Sequence, residues 1–383
     1  MSRLAKTTFG EINLKILPKI RDFIKKYIPI PTLIALIILV VSLIILSVAK
    51  ISSPFADFIN STISTFIRGA LSLITYIFPF SLFEMLIYLS PFALALVVYL
   101  LARRNSDYAD RIRTIFSLLG IIAVIYSSYI FTLAVGYHTT VLTTSTGIEE
   151  DREITKEELN YTFVYLRDKV NELSEEIEYL DGTSSMPYDL SRMSVLLSEA
   201  YDRVAEKYPF FSNFPSRIKP VAFSSFLSDA GITGVYGFLT GEPNLNTDYP
   251  DYNLPFTSAH EFAHQRGICR ENEANFMAFL VCTSSTDPYI QYSGYLSMLE
   301  YVASAFYSAD KELYTAALSL LDEGARGDIR ASNEITRAHM DSWIRKLSDS
   351  INDTYLKANG TEGVVSYGYV VRLAVGYIQN LNN

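Results

Sequence analysis

The chain has few cysteines, and this scarcity excludes a fold held by disulfides. Only Cys269 and Cys282 occur among 383 residues. If a helix begins near Glu271, the two thiols are about three turns apart, beyond the reach of a disulfide. We therefore expect both cysteines to be unpaired and to take no part in metal binding.

The chain also lacks the excess of positive charge that nucleic-acid binding needs. Its net charge is -9, because residues 1–137 have a net charge of +7 and residues 138–383 a net charge of -16. An acidic domain is repelled by phosphate. We expect no nucleic-acid partner.

Long apolar runs, in contrast, are plentiful near the N-terminus. Three of them, at about 31–49, 82–102 and 115–136, are long enough to cross a bilayer as helices. Residues 56–80 contain Asn60, Arg68 and Pro79, so we expect a helix that lies at the membrane interface or packs on the bundle. The sequence thus predicts a membrane domain over residues 1–137 and a second domain over 138–383.

The distribution of lysine and arginine predicts the orientation of these spans. Basic residues precede the first span and fill the loop between the second and third, whereas the loop after the first span holds only Lys50 and Arg68. The positive-inside rule then places the N-terminus in the cytoplasm and residues 138–383 outside the cell membrane, as part of a multi-pass protein. Glu84 is the only ionisable residue well placed near a span, so a transporter or channel is disfavoured.

Residues 138–383 show the periodicity of a mostly helical domain. Apolar residues recur at three- and four-residue steps over 155–180, 190–208, 289–308, 310–321 and 332–358. Residues 220–240 differ, because β-formers alternate there with glycines, which indicates short strands and turns. The fold class predicted is α-rich α+β.

The segment His260-Glu261-Phe262-Ala263-His264 is the strongest indication of chemistry. Histidines four residues apart on a helix can converge on one Zn²⁺, and the glutamate between them can take a proton from a zinc-bound water. Pro255 suits the first turn of such a helix and Gly267 the position after its end. Because the chain has only 4 histidines, chance spacing is a poor explanation.

A third ligand is expected from the next helix, which begins near Glu271. Glu273 shares a helical face with Met277 and Leu280, whose packing would fix the direction of its carboxylate. Glu271 is the alternative, although an acidic residue at that position also favours a helix N-terminus. We therefore predict Glu273 as the ligand, with Glu271 second.

The residues from Pro255 to Gly267, with Arg270 to Phe276, resemble a family of bacterial membrane proteins of unknown function, domain of unknown function 3810. That family is similar to the gluzincins, zinc metallopeptidases with two histidine ligands and one glutamate. The Glu-Ala-Asn run also resembles the third-ligand helix of a soluble metallopeptidase family linked to stress regulators. There the glutamate directly before Ala-Asn binds zinc, which implies Glu273 here.

Together these observations predict a membrane-anchored zinc metallopeptidase with a mostly helical, zincin-like domain. Zn²⁺ would be held by His260, His264 and Glu273, and Glu261 would act as general base in the hydrolysis of a peptide or protein substrate. The alternative is an inactive, membrane-anchored binding or scaffold protein whose metal site is structural. By analogy with other zincins, we expect residues 235–239 or 244–246 to border the cleft.

Overall fold

The computed structural model describes residues 18–103, 107–148, 153–363 and 368–381 and is mostly helical. The helices are α1 (Ile30–Ala49), α2 (Ser53–Ile59), α3 (Thr65–Tyr76), α4 (Leu82–Ala102), α5 (Tyr108–Thr132), α6 (Leu142–Thr146), α7 (Lys156–Ser174), α8 (Leu190–Lys207), α9 (Ser224–Ala230), α10 (Asn253–Gln265), α11 (Glu271–Thr283), α12 (Pro288–Ala309), α13 (Lys311–Leu318), α14 (Glu323–Ala338), α15 (Trp343–Ala358) and α16 (Val370–Asn380). The strands are β1 (Tyr179–Leu180), β2 (Thr183–Ser184), β3 (Lys219–Pro220), β4 (Gly234–Gly237) and β5 (Glu242–Leu245).

The chain divides into two compact units. The first comprises Met1–Ser47 and Met85–Ile130, and the second comprises Val48–Glu84 and Phe131–Asn383. This division differs from the boundary expected at residue 137, because residues 48–84 belong to the second unit.

Within the described part of the chain, three helices, α1, α4 and α5, are long and apolar enough to cross a membrane. Their mean hydropathies are 3.1, 2.3 and 2.0. The third ends at Thr132, four residues before the end expected from the sequence. Residues Ala134–His138 form a short 3₁₀ helix instead, and Val135 and Tyr137 are buried in the second unit. Their apolar character therefore reflects a protein core.

Residues 53–76 form an unusual helical segment of the second unit. A π-helical turn, Asn60–Ser64, joins α2 to α3. The polar side chains of Arg68, Ser72 and Thr75 on α3 are buried, whereas Phe66 and Ile74 are exposed. The polar face of this helix thus points into the protein, the reverse of an ordinary soluble helix.

The core of the second unit lies between α10, α11 and α12, with α7, α8 and α16 packed around them. Every described side chain of α11 from Glu271 to Cys282 is buried. Phe262 on α10 and Phe276 on α11 are fully enclosed in this core. Burial on all sides gives α10 and α11 a fixed relative position, which a site shared between them requires.

A three-stranded sheet accompanies the helices. Its order is β3-β5-β4, with β3 parallel and β4 antiparallel to β5. Strands were expected within residues 220–240, and β4 confirms that in part, but the helix α9 occupies the middle of that region. The sheet leaves β4 at an edge, packed on α10.

Two expected helices are shorter than their periodicity indicated. The one predicted over 155–180 ends at Ser174, and β1 and β2 follow as a hairpin whose turn residues Asp181 and Gly182 have positive φ. Asp-Gly is a preferred turn for a two-residue hairpin loop. The helix predicted over 332–358 is divided into α14 and α15.

Candidate metal centre

The histidine helix has the ends that the sequence predicts. Helix α10 runs over Asn253–Gln265, with Pro255 in its first turn. Gly267 follows with φ of 89°, a left-handed conformation that suits glycine. The chain reverses there and begins α11 at Glu271, so the start of α11 faces the middle of α10.

Three side chains converge where α10 meets α11. The Nε2 atoms of His260 and His264 lie 3.2 and 3.6 Å from Oε2 of Glu271. Ligands about 2.0–2.1 Å from a tetrahedral zinc lie about 3.3 Å from one another. The two distances to the carboxylate oxygen are therefore close to that spacing, and one ligand atom from each of the three side chains lies within 4.8 Å of the others.

The other ring nitrogen of each histidine has its own hydrogen bond. Nδ1 of His264 lies 2.9 Å from the backbone oxygen of Ile268, and Nδ1 of His260 lies 2.8 Å from Oδ1 of Asn275. A carbonyl oxygen can only accept, so Nδ1 donates in both bonds and Nε2 of a neutral imidazole keeps its lone pair. Histidines that bind metals are oriented in this way.

The structure does not bring Glu273, the first candidate for the third ligand, to the histidines; the carboxylate that meets them is that of Glu271, the second candidate. The Glu273 carboxylate accepts a hydrogen bond from the backbone N–H of Leu142 at 2.8 Å and lies 3.2 Å from the Arg270 guanidinium. Successive residues of a helix are turned by about 100°, so Glu273 points about 200° away from Glu271, on nearly the opposite face. Glu271 and Asn275, four apart, share the face toward the histidines instead.

Glu261 lies beside this cluster and is almost fully buried, with 4% of its surface exposed. Its Oε2 atom has no hydrogen-bond partner within the described part of the chain. Burial raises the pKa of this carboxyl, and the neighbouring His260 and His264 act in the opposite direction. A carboxylate in this position is suited to take up a proton.

The backbone of β4 approaches Glu261 closely. A Cβ atom on Gly234 would lie 2.7 Å from Oε1 of Glu261. Only glycine allows this approach, which places the edge strand next to the carboxylate. The sequence indicated this stretch as a border of the cleft but did not single out Gly234.

The charges of the converging groups also shift the pKa values of these groups. Burial alone would lower the pKa of His264, but Glu271 outweighs it and the pKa rises to about 9. Burial would raise the pKa of Glu271, yet His264 and His260 hold it well below its usual range. Without a cation, the carboxylate and one imidazolium thus neutralise each other.

The turn between the two helices is braced by residues 48–84. The Arg68 guanidinium donates to Oδ1 of Asn60 at 2.9 Å and to the backbone oxygen of Arg266 at 3.4 Å. Nδ2 of Asn60 donates to the oxygen of Gly267 at 3.2 Å. The sequence did not identify Asn60 and Arg68 as bracing residues. In a sequence, a buried arginine between two apolar runs cannot be distinguished from an arginine at the membrane interface.

His339 and the two cysteines are not part of this cluster. His339 pairs with Asp229, with 2.7 Å between Nδ1 and Oδ1. Cys269 and Cys282 are free and buried, as predicted. Among the described residues, the one group of His, Cys, Asp and Glu side chains with ligand spacing is His260, His264 and Glu271.

Comparison with known proteins adds one match. Neither the curated proteins nor the solved structures include one that matches this chain. A family model described as a protein of unknown function, DUF3810, matches residues 55–375, which include both helices of the candidate metal centre. The chain therefore belongs to the DUF3810 family.

Proposed function

We propose that the protein is a membrane-anchored zinc metallopeptidase whose metal ligands are His260, His264 and Glu271. One observation carries this proposal: two imidazoles and a carboxylate meet with their ligand atoms within 4.8 Å of one another, beside a buried glutamate whose Oε2 atom has no hydrogen-bond partner among the described residues. The membrane anchor is the set α1, α4 and α5.

The donor set fits zinc and leaves room for catalysis. Two nitrogens and one carboxylate oxygen are typical of catalytic zinc sites, in which a fourth position stays open to water. A structural site is instead closed by a fourth protein ligand. The buried oxygen of Glu261 also requires a partner, and a water molecule near the cation would satisfy it.

The chain's own residues account for the proton transfers. Bound Zn²⁺ would lower the pKa of a water toward neutrality and polarise the substrate carbonyl. Glu261 would take a proton from the water that attacks the peptide carbon and would pass it to the leaving amine as the C–N bond breaks. The raised pKa of Glu261 brings this carboxyl closer to the working pH of a general base.

The edge strand β4 supports an extended peptide as substrate. One side of β4 is paired with β5. A peptide can add to an exposed strand edge through backbone hydrogen bonds, and Gly234 keeps that edge within reach of Glu261.

The charge distribution supports an external catalytic unit. With the basic N-terminal residues in the cytoplasm, an odd number of spans puts the residues after Thr132 outside the cell membrane. The side of the membrane can be assayed by whether external protease reaches a tag at the C-terminus. A membrane-impermeant, cysteine-reactive reagent is unsuitable for this purpose, because both thiols are buried.

The proposed activity has a direct test. We expect the full chain, purified with zinc in mild detergent, to cleave members of a peptide library. A chelator should stop the cleavage and added zinc should restore it, because the chemistry depends on an exchangeable cation. Cleavage that persists in chelator would contradict the proposal.

A further inference from the structure

A second surface of the molecule, on α9 and α15, exposes large apolar side chains. We define the α9–α15 surface by five residues that are between 50% and 72% exposed: Phe226 on α9, Met340 in the turn before α15, and Trp343, Leu347 and Ile351 on α15. An exposed apolar cluster of this kind usually marks a site of contact with a protein or a membrane.

The exposed residues of α15 form one stripe. Trp343, Leu347 and Ile351 are each four residues apart, so they follow one side of the helix. Leu356, at the C-terminal end of the same helix, is fully buried in a cluster with Tyr137 and Cys269. Helix α15 therefore has both an anchored face and an outward apolar stripe.

Helices α9 and α15 are joined, so that the five residues belong to one surface. The two helices pack on each other. The Arg345 guanidinium lies beside Gly231 at the end of α9, and His339 pairs with Asp229. These contacts fix α15 on α9.

The position of α9 is set by the first turn of an apolar helix. The Glu84 carboxylate accepts hydrogen bonds from the backbone N–H groups of Ala222 and Phe223, at 3.0 and 3.1 Å. Glu84 is the third residue of α4, which is long and apolar enough to span a bilayer. The residues that lead into α9 are therefore held by the first turn of this helix.

Helix α3 also exposes apolar side chains. Phe66, Ile74 and Ile77 are exposed by 63% or more, whereas the polar face of α3 is buried. Nζ of Lys219, just before α9, donates to the backbone oxygen of Thr75 at 2.8 Å. Hydrogen bonds thus link the chain before α9 both to α3 and to the start of α4, and both α3 and α9 expose apolar side chains.

We propose that the α9–α15 surface lies in the interface of the lipid bilayer, with α15 parallel to the membrane and Trp343 inserted at headgroup depth. Continuity with α3 and with the first turn of α4 favours lipid over a protein partner. Amphipathic helices bind membranes in this manner, and tryptophan is enriched at the membrane interface.

Trp343 makes the proposal testable without a label, because it is the only tryptophan in the chain. The full chain is reconstituted into phosphatidylcholine vesicles, either plain or with brominated acyl chains, and tryptophan emission is recorded. We expect brominated lipid to remove roughly half or more of the emission and aqueous iodide to remove little, as for an interfacial side chain.

A matched control moves the tryptophan. In Trp343→Phe with Leu313→Trp, the new side chain is at an exposed position on α13, which packs on α7 and α12. We expect iodide to quench this variant strongly. A second variant, Leu347→Lys with Ile351→Lys, should keep Trp343 and lose most of the quenching by brominated lipid.

Two results would overturn the proposal. Strong quenching of Trp343 by iodide, with none by brominated lipid, would place the surface in water. Protection from both quenchers would mean that a protein, such as a second copy of this chain, covers it.

Discussion

Replacing Glu261 by glutamine is expected to abolish peptide hydrolysis while zinc remains bound. Glutamine has nearly the shape of glutamate but cannot accept a proton, so the attacking water would lack its base. General-base catalysis contributes about 10²–10⁴-fold to the rate. The three ligand atoms are untouched, and we expect one zinc per chain in the variant by elemental analysis, with peptide-library cleavage reduced by at least that range.

Glu273→Gln is the matched control for this experiment, because it makes the same chemical change in a second buried carboxylate of the same region. The amide oxygen can still accept the hydrogen bond from Leu142. We expect this variant to keep both zinc and most of its activity. Full activity in Glu261→Gln would refute the role of Glu261. Bound zinc without any cleavage by the unaltered chain would instead favour the alternative in which the metal site is structural.

Replacing Glu271 by glutamine is expected to remove the metal itself. Glu271 supplies the carboxylate oxygen that lies within 3.2–3.6 Å of both imidazole nitrogens. A neutral amide is a much poorer ligand for Zn²⁺, and even loss of a group that merely orients a ligand costs 10–100-fold in affinity. We expect a loss of more than about 100-fold, measured by competition with a chelator of known affinity.

Comparing Glu271→Gln with Glu273→Gln tests which glutamate is the third ligand. The structure indicates Glu271, whereas the sequence predicted Glu273. The structure predicts that the first variant loses zinc and the second retains it. The opposite result would restore Glu273 as ligand and would require α11 to be rotated by about 160° relative to the histidines. Circular dichroism of both variants would show whether the helical fold is kept.

The sequence alone could predict the histidine helix, because all of its determinants are local. His260 and His264 are four apart, and Pro255 and Gly267 mark its ends. The third ligand depends instead on how α11 packs after the reversal at Gly267. Two glutamates two positions apart both lie in the first turn, and periodicity cannot say which of two buried faces meets α10.

The limits of the second unit could not be read from hydropathy for a related reason. An apolar stretch has the same composition whether it contacts lipid or a protein core. Val135 and Tyr137 extend an apolar run but are buried beside Cys269. Arg68 lies in a stretch whose composition suits a helix at the membrane interface, yet it is fully buried and holds the turn at Gly267. Only long-range hydrogen bonds, invisible in the sequence, distinguish these cases.

The central claim is that one cation is held by His260, His264 and Glu271. Anomalous diffraction at the zinc absorption edge, from crystals of the zinc-loaded full chain, tests it most directly. We predict a single strong peak about 2.0–2.2 Å from Nε2 of both histidines and from a carboxylate oxygen of Glu271. A map with no peak between α10 and α11, or with the zinc at Glu273, would contradict the claim.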